Sequence, residues 1–166
     1  MLGLTNLGII HTAISLIAVA SGFWAVASYR EISTRNTLGR TYLVTTLLTA
    51  VTGLGIFQHG GFGPPHALSI LTILALAIGT VAALTGAFGR WSRYVQAISY
   101  SVTLLFHMIP AFTETLTRLP PGQPVFPNAE APQFGPIYGV LLLLFLGGLA
   151  LQLRWLRTQA VKSPAQ

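Results

Sequence analysis

Residues 4–28, LTNLGIIHTAISLIAVASGFWAVAS, contain no charged side chain. As a helix rising 1.5 Å per residue, such a stretch reaches roughly 37 Å, more than the roughly 30 Å of a bilayer's hydrocarbon core. Four further apolar windows follow, at 42–58, 67–88, 94–112 and 137–153. The shortest reaches roughly 25 Å and crosses with local thinning. No water is present at that depth to satisfy backbone N–H and C=O groups, so each crossing must be helical. Gly60-Gly61-Phe62-Gly63-Pro64-Pro65 and Pro120-Pro121-Gly122-Gln123-Pro124 punctuate the windows with sequence that breaks helices. The expected fold is all-α: a polytopic membrane bundle of five transmembrane helices, one domain over 1–156 with a tail at 157–166.

Composition excludes the alternatives. Of 166 residues only 7% are charged, against about a quarter in a soluble domain, and 52% are apolar. Mean hydropathy is +0.68. The absence of cysteine removes disulfides, thiolate metal sites and dithiol redox chemistry. A pI near 10.6 would suit nucleic acid, but the cations sit at the ends of apolar segments, where bilayer topology accounts for them. Nucleic acid is therefore not an expected partner. The lipid bilayer is, together with other membrane subunits or a second copy of the chain.

The cations also orient the bundle. Arg30, Arg35 and Arg40 separate the first two windows, Arg90 and Arg93 the third and fourth, and Arg154, Arg157 and Lys162 follow the fifth. Only Arg118 lies at the other end. The positive-inside bias then places the N-terminus outside and the C-terminus in the cytoplasm. Trp24, Trp91 and Trp155 fall at the same end as the cations. Ala25-Val26-Ala27 resembles a signal-peptidase site. No cation precedes the apolar stretch, however, and it is too long for an h-region, so the segment is expected to remain as a span.

On this topology His11, His59, His66 and His107 all fall in the outer leaflet, one from each of four segments, with Glu114 beside them. At about 100° per residue, Gln96, Ser99, Tyr100, Thr103, His107 and Glu114 form one stripe on the fourth span. Thr45, Thr49, Thr52 and His59 form another on the second. His11 shares a face of small residues with Gly8, Ser15, Ala18 and Gly22. Ala75, Gly79, Ala83 and Gly86 have close-packing spacing on the third span. Pro110 leaves the carbonyl of Phe106 without its helical partner. Polar groups in a bilayer face the interior of the bundle, so an imidazole cluster at an outer mouth is expected.

Neutral imidazole with a nearby carboxylate suits Cu, Zn or Fe. Two inward histidines on facing helices suit the axial positions of a b-type haem. His11 and His107 are the pair for haem; His11, His59, His66, His107 and Glu114 are the candidate set for a bare ion. Each residue also has a structural reading. Thr and Ser can bond back to the preceding turn, Gly/Ala faces serve packing, and Glu114 can pair with Arg118 one turn on. No catalytic residue is expected: zinc-protease, di-iron, nucleophile-elbow and P-loop motifs are missing, and there is no aspartate for paired-carboxylate chemistry.

His11-x10-Gly22, Leu38-Gly39-Arg40-x-Tyr42, Gly60-Gly61-Phe62-Gly63 before a histidine-led span, and Gly89-Arg90-Trp91-Ser92-Arg93 together carry a resemblance. Over about 8–118 the chain resembles the domain-of-unknown-function 2306 family of small bacterial polytopic membrane proteins. Phe106-His107-Met108-Ile109-Pro110 and Glu114 to Pro120 share it. Where family members often carry His-Arg before Leu-Gly-Arg, this chain has Arg35 and Asn36. The resemblance implies a multi-pass protein of the bacterial inner membrane. The leading functional expectation is a metal centre, haem b or a transition-metal ion, near the periplasmic face for electron transfer or redox support. The alternative is a non-catalytic membrane subunit or assembly protein that packs through Gly/Ala faces without a cofactor.

Overall fold

The computed structural model describes residues 5–57 and 61–162, with side chains to residue 160. They form α1 (Asn6–Tyr29), α2 (Thr37–Leu54), α3 (Pro64–Thr85), α4 (Ser92–Arg118) and α5 (Phe134–Lys162), with a 3₁₀ turn at Gly89–Trp91. No strand occurs among the described residues. Local chemistry sets the helix ends. Thr5 caps α1 by accepting the Gly8 N–H at 3.1 Å, and Asn36 caps α2 by accepting that of Gly39 at 2.7 Å. Pro64 and Pro65 open α3, where their missing N–H groups cost nothing. Gly86 closes it at φ +63°.

Among the described residues, four helices are long and apolar enough to cross a membrane: α1, α3, α4 with its leading turn, and α5. The helix α2 falls short of the same standard. It is 18 residues long and carries Arg40 and six threonines. Its start at Thr37 rather than 42 follows from the Asn36 cap. His59 and its neighbours 58 and 60 lie outside the described residues. The expected tail from 157 is helical as far as Lys162.

Successive helices run antiparallel. The first four close into a ring, α1 against α2, α2 against α3, α3 against α4 and α4 back to α1, while α5 packs on α4. The core is built from small residues and two tyrosines. A Cβ on Gly22 would come within 2.6 Å of the Tyr42 ring, and one on Gly79 within 2.6 Å of Tyr100. One glycine on α1 and one on α3 thus admit a tyrosine from the next helix, and both rings are fully buried. The small-residue faces read from sequence are packing faces at these positions. Gly86 is different, because it terminates its helix and a Cβ there would meet nothing within 4 Å.

At the basic end, the α1–α2 linker is held from two helices, α4 and α5. Gln96 of α4 donates to the Ile32 carbonyl at 3.0 Å, and Gln152 of α5 donates to that of Arg30 at 2.9 Å. Ser101 in turn donates to Gln152 at 2.8 Å. Arg93 pairs with Glu31 at 3.0 Å and lies over the Trp155 ring. At the opposite end the long α4–α5 connection folds back. Phe126 donates its N–H to Leu116 O at 2.9 Å, and its ring meets Phe134 edge-on.

A Cβ at Gly39 would sit 1.9 Å from the Ser33 carbonyl oxygen, which is backbone and cannot turn aside. Gly39→Ala should therefore lower stability by about 3 kcal/mol, the upper end for overpacking. Gly61→Ala, with open space around it, should be near neutral. Thermal unfolding of both variants in detergent checks the contrast.

Candidate functional site

The polar stripe on α4 faces inward as its spacing predicts. Ser99, Tyr100, Thr103 and His107 are buried, but Glu114 leaves the stripe, being exposed and paired with Arg118 one turn on. The partners of the stripe come from α2 and α3. His107 Nε2 lies 3.1 Å from Thr46 Oγ1. The Thr103 hydroxyl donates to its own helix at Tyr100 O, 2.8 Å, so the Tyr42 hydroxyl is the donor in the 2.6 Å bond to Thr103. On the far side Tyr100 meets Thr80 of α3 at 3.0 Å. The His107 and Tyr42 rings meet edge-on with centroids 6.2 Å apart.

The α1 histidine engages α2 at a different level. Thr52 donates to Leu48 O at 2.8 Å, so His11 Nδ1 carries the proton of its 3.0 Å bond to Thr52. Thr46 and Thr52 are six residues apart, roughly 9 Å along the helix. Thr45, Thr49 and Thr52 each bond back to the preceding turn, as their structural reading has it.

His66 stands apart at the start of α3. Its Nδ1 accepts the Gly63 N–H at 3.2 Å, completing the helix cap. The ring lies between Phe57 and Phe62, at 4.5 and 5.4 Å. The cap leaves the ring proton on Nε2, which is buried without a partner. An open groove of about 430 Å³ beyond Phe57 is lined by Thr5, Leu7, Gly55 and Ile56.

This arrangement overturns the expected metal centre. Among the described residues no group of three or more His, Asp or Glu side chains is placed to hold an ion. Ligand nitrogens must each lie about 2 Å from a shared metal. Here His11 and His107 bond to separate threonines of α2, Glu114 faces Arg118, and His66 is enclosed by aromatic rings at the head of α3. His59 lies outside the described residues. The haem reading falls as well: His11 Nδ1 and His107 Nε2 are each engaged by a threonine of α2, and a Cβ on Gly53 would already meet His11 Cε1 at 3.3 Å. The readings of electron transfer and redox support fall with the centre that would have served them.

Comparison with family models, curated proteins and solved structures finds no match for the chain. The family resemblance therefore rests on its short motifs. Sequence reasoning passed over Thr46 and Gln152 and took Tyr42 only as the start of a span. Their signal was present: Tyr42, Thr46, Thr49 and Gly53 follow helical spacing and are all buried.

If His107 and Thr46 serve to join α2 to α4, Thr46→Val and His107→Ala should be energetically coupled. A double-mutant cycle in detergent should give about 0.6 kcal/mol, with roughly 1.7 as the ceiling for such bonds in membrane proteins.

Proposed function

We propose that the protein is a non-catalytic subunit of the bacterial inner membrane. It crosses five times, with its N-terminus outside and its C-terminus in the cytoplasm, and associates through α5 with another transmembrane helix. The supporting observation is a contrast among glycines. Gly22, Gly53 and Gly79 each face a neighbouring side chain within 3 Å of where a Cβ would be, whereas Gly135, Gly139, Gly147 and Gly148 of α5 face nothing within 4 Å. In lipid, small residues stabilise a helix pair by letting backbones approach, and Gly135 and Gly139 have the one-turn spacing that does so. Among the candidate spans α5 is the least buried, and it packs mainly on α4. Tyr42 with Thr103, His107 with Thr46 and Tyr100 with Thr80 bond across helices, which suits a scaffold better than a reaction site.

Support for five crossings comes from α2 itself. It is wedged between α1 and α3 and buries Tyr42, Thr46 and Thr49 against them and α4, so its polar residues need not meet lipid. Support for the orientation comes from eight of nine cations at one end of the helices.

Two measurements test the reading. The chain has no cysteine, so a single introduced one reports cleanly. Asn128→Cys should react with an impermeant maleimide on intact spheroplasts, and Thr158→Cys only after lysis. The reverse pattern would invert the proposed orientation. For association, Leu143→Cys on α5 should form a disulfide adduct in membranes, while the equally exposed Leu84→Cys on α3 should not. An adduct of twice the chain mass identifies a second copy; any other mass identifies a different subunit. Gly139→Leu should remove the adduct without lowering the melting temperature. Equal behaviour at 143 and 84 would sink the proposal.

A further inference from the structure

We propose that a groove between α2 and α3 at the basic end of the bundle binds an anionic phospholipid. Its phosphate would sit on Arg40 and one acyl chain along the groove. The inference rests on the membrane placement argued above and is independent of any association through α5. The groove has a volume of about 320 Å³, and its lining includes Thr34, Arg40, Val44, Leu47, Leu76 and Thr80. That volume is at the lower end for ligand pockets, which run from about 300 to 1,000 Å³. Its two ends differ chemically. Arg40 and the linker residue Thr34 lie at one end, while Val44, Leu47 and Leu76 form apolar walls deeper in. From Arg40 to Leu47 is seven residues, or roughly 10 Å along α2, against roughly 15 Å for one leaflet of hydrocarbon.

Arg40 is positioned but not neutralised. Its Nε donates to the Thr34 carbonyl at 2.8 Å, which fixes the side chain and leaves the terminal guanidinium nitrogens for another acceptor. The chain has only three carboxylates. Glu31 pairs with Arg93, Glu114 pairs with Arg118 at the opposite end, and Glu130 lies in the α4–α5 connection. Arg40 forms no ion pair among the described residues. Arg30 and Arg35 of the same linker add positive potential. A phosphate diester offers the planar fork two acceptor oxygens. Free phosphate offers the same oxygens but nothing to cover Val44 and Leu47, both of which are exposed on the walls. Basic pockets between membrane helices take anionic headgroups for this combination of reasons.

The test uses the full-length protein in phosphatidylcholine bilayers, probed with spin-labelled phosphatidylglycerol and spin-labelled phosphatidylcholine. The motionally restricted fraction of each label gives its relative association. Phosphatidylglycerol should be favoured about fivefold, the worth of one cationic side chain at an anionic surface. Arg40→Gln should abolish that preference. Arg40→Lys should keep most of it, and Arg90→Gln at the same end should leave it intact. Leu47→Trp, a change at an exposed wall, should reduce restriction of both labels by filling the groove. Three results would overturn the proposal: equal restriction of the two labels, equal losses in Arg40→Gln and Arg90→Gln, or displacement of the label by millimolar inorganic phosphate.

Discussion

The Tyr42 side chain is fully buried, and the four-helix ring is organised around it. A phenol hydroxyl cut off from water needs a protein partner, and Thr103 of α4 supplies one at 2.6 Å. The ring needs space, which Gly22 of α1 gives by having no side chain. Its edge meets His107, whose own nitrogen is satisfied by Thr46 one turn further along α2. One side chain thereby fixes the distance from α2 to α1 and the register of α2 against α4. Tyr100, Gly79 and Thr80 repeat the device between α4 and α3. Apolar burial cannot hold such a ring together, since lipid tails are as apolar as leucine. Close approach and interhelical hydrogen bonds carry that role.

The fold was legible where the signal is one-dimensional. A charge-free run must be a helix in a bilayer, and Pro, Gly and Asn mark its ends. Hence α1 and α3 begin and end within a few residues of their expected limits. The helix α2 was harder, because its threonines dilute the apolar run and its first turn carries Arg40. Only the Asn36 cap reveals that the helix starts ahead of the window. The extent of α5 was missed for a related reason. Its last two turns are cationic and polar, which ends an apolar window without ending a helix.

The site was legible by depth but not by azimuth. Four histidines at similar heights suggested a shared pocket. Height along a bundle axis, however, says little about which neighbour a ring meets. Two of the rings found threonine hydroxyls on α2 six residues apart, and His66 was drawn into a helix cap between phenylalanines. Threonine was discounted as self-satisfying, and Thr45 and Thr49 do bond only to their own helix. Yet a hydroxyl that donates backwards still accepts from the side, and Thr52 does both.

The bond from Gln152 to the Arg30 carbonyl spans 122 positions of chain. During synthesis at roughly 5–20 residues per second, about 6–24 seconds separate the emergence of the two groups. Until α5 has been made, the Arg30 carbonyl has no Gln152 side chain to accept from. A nascent chain stopped before that helix would hold a complete ring of four with one end still loose.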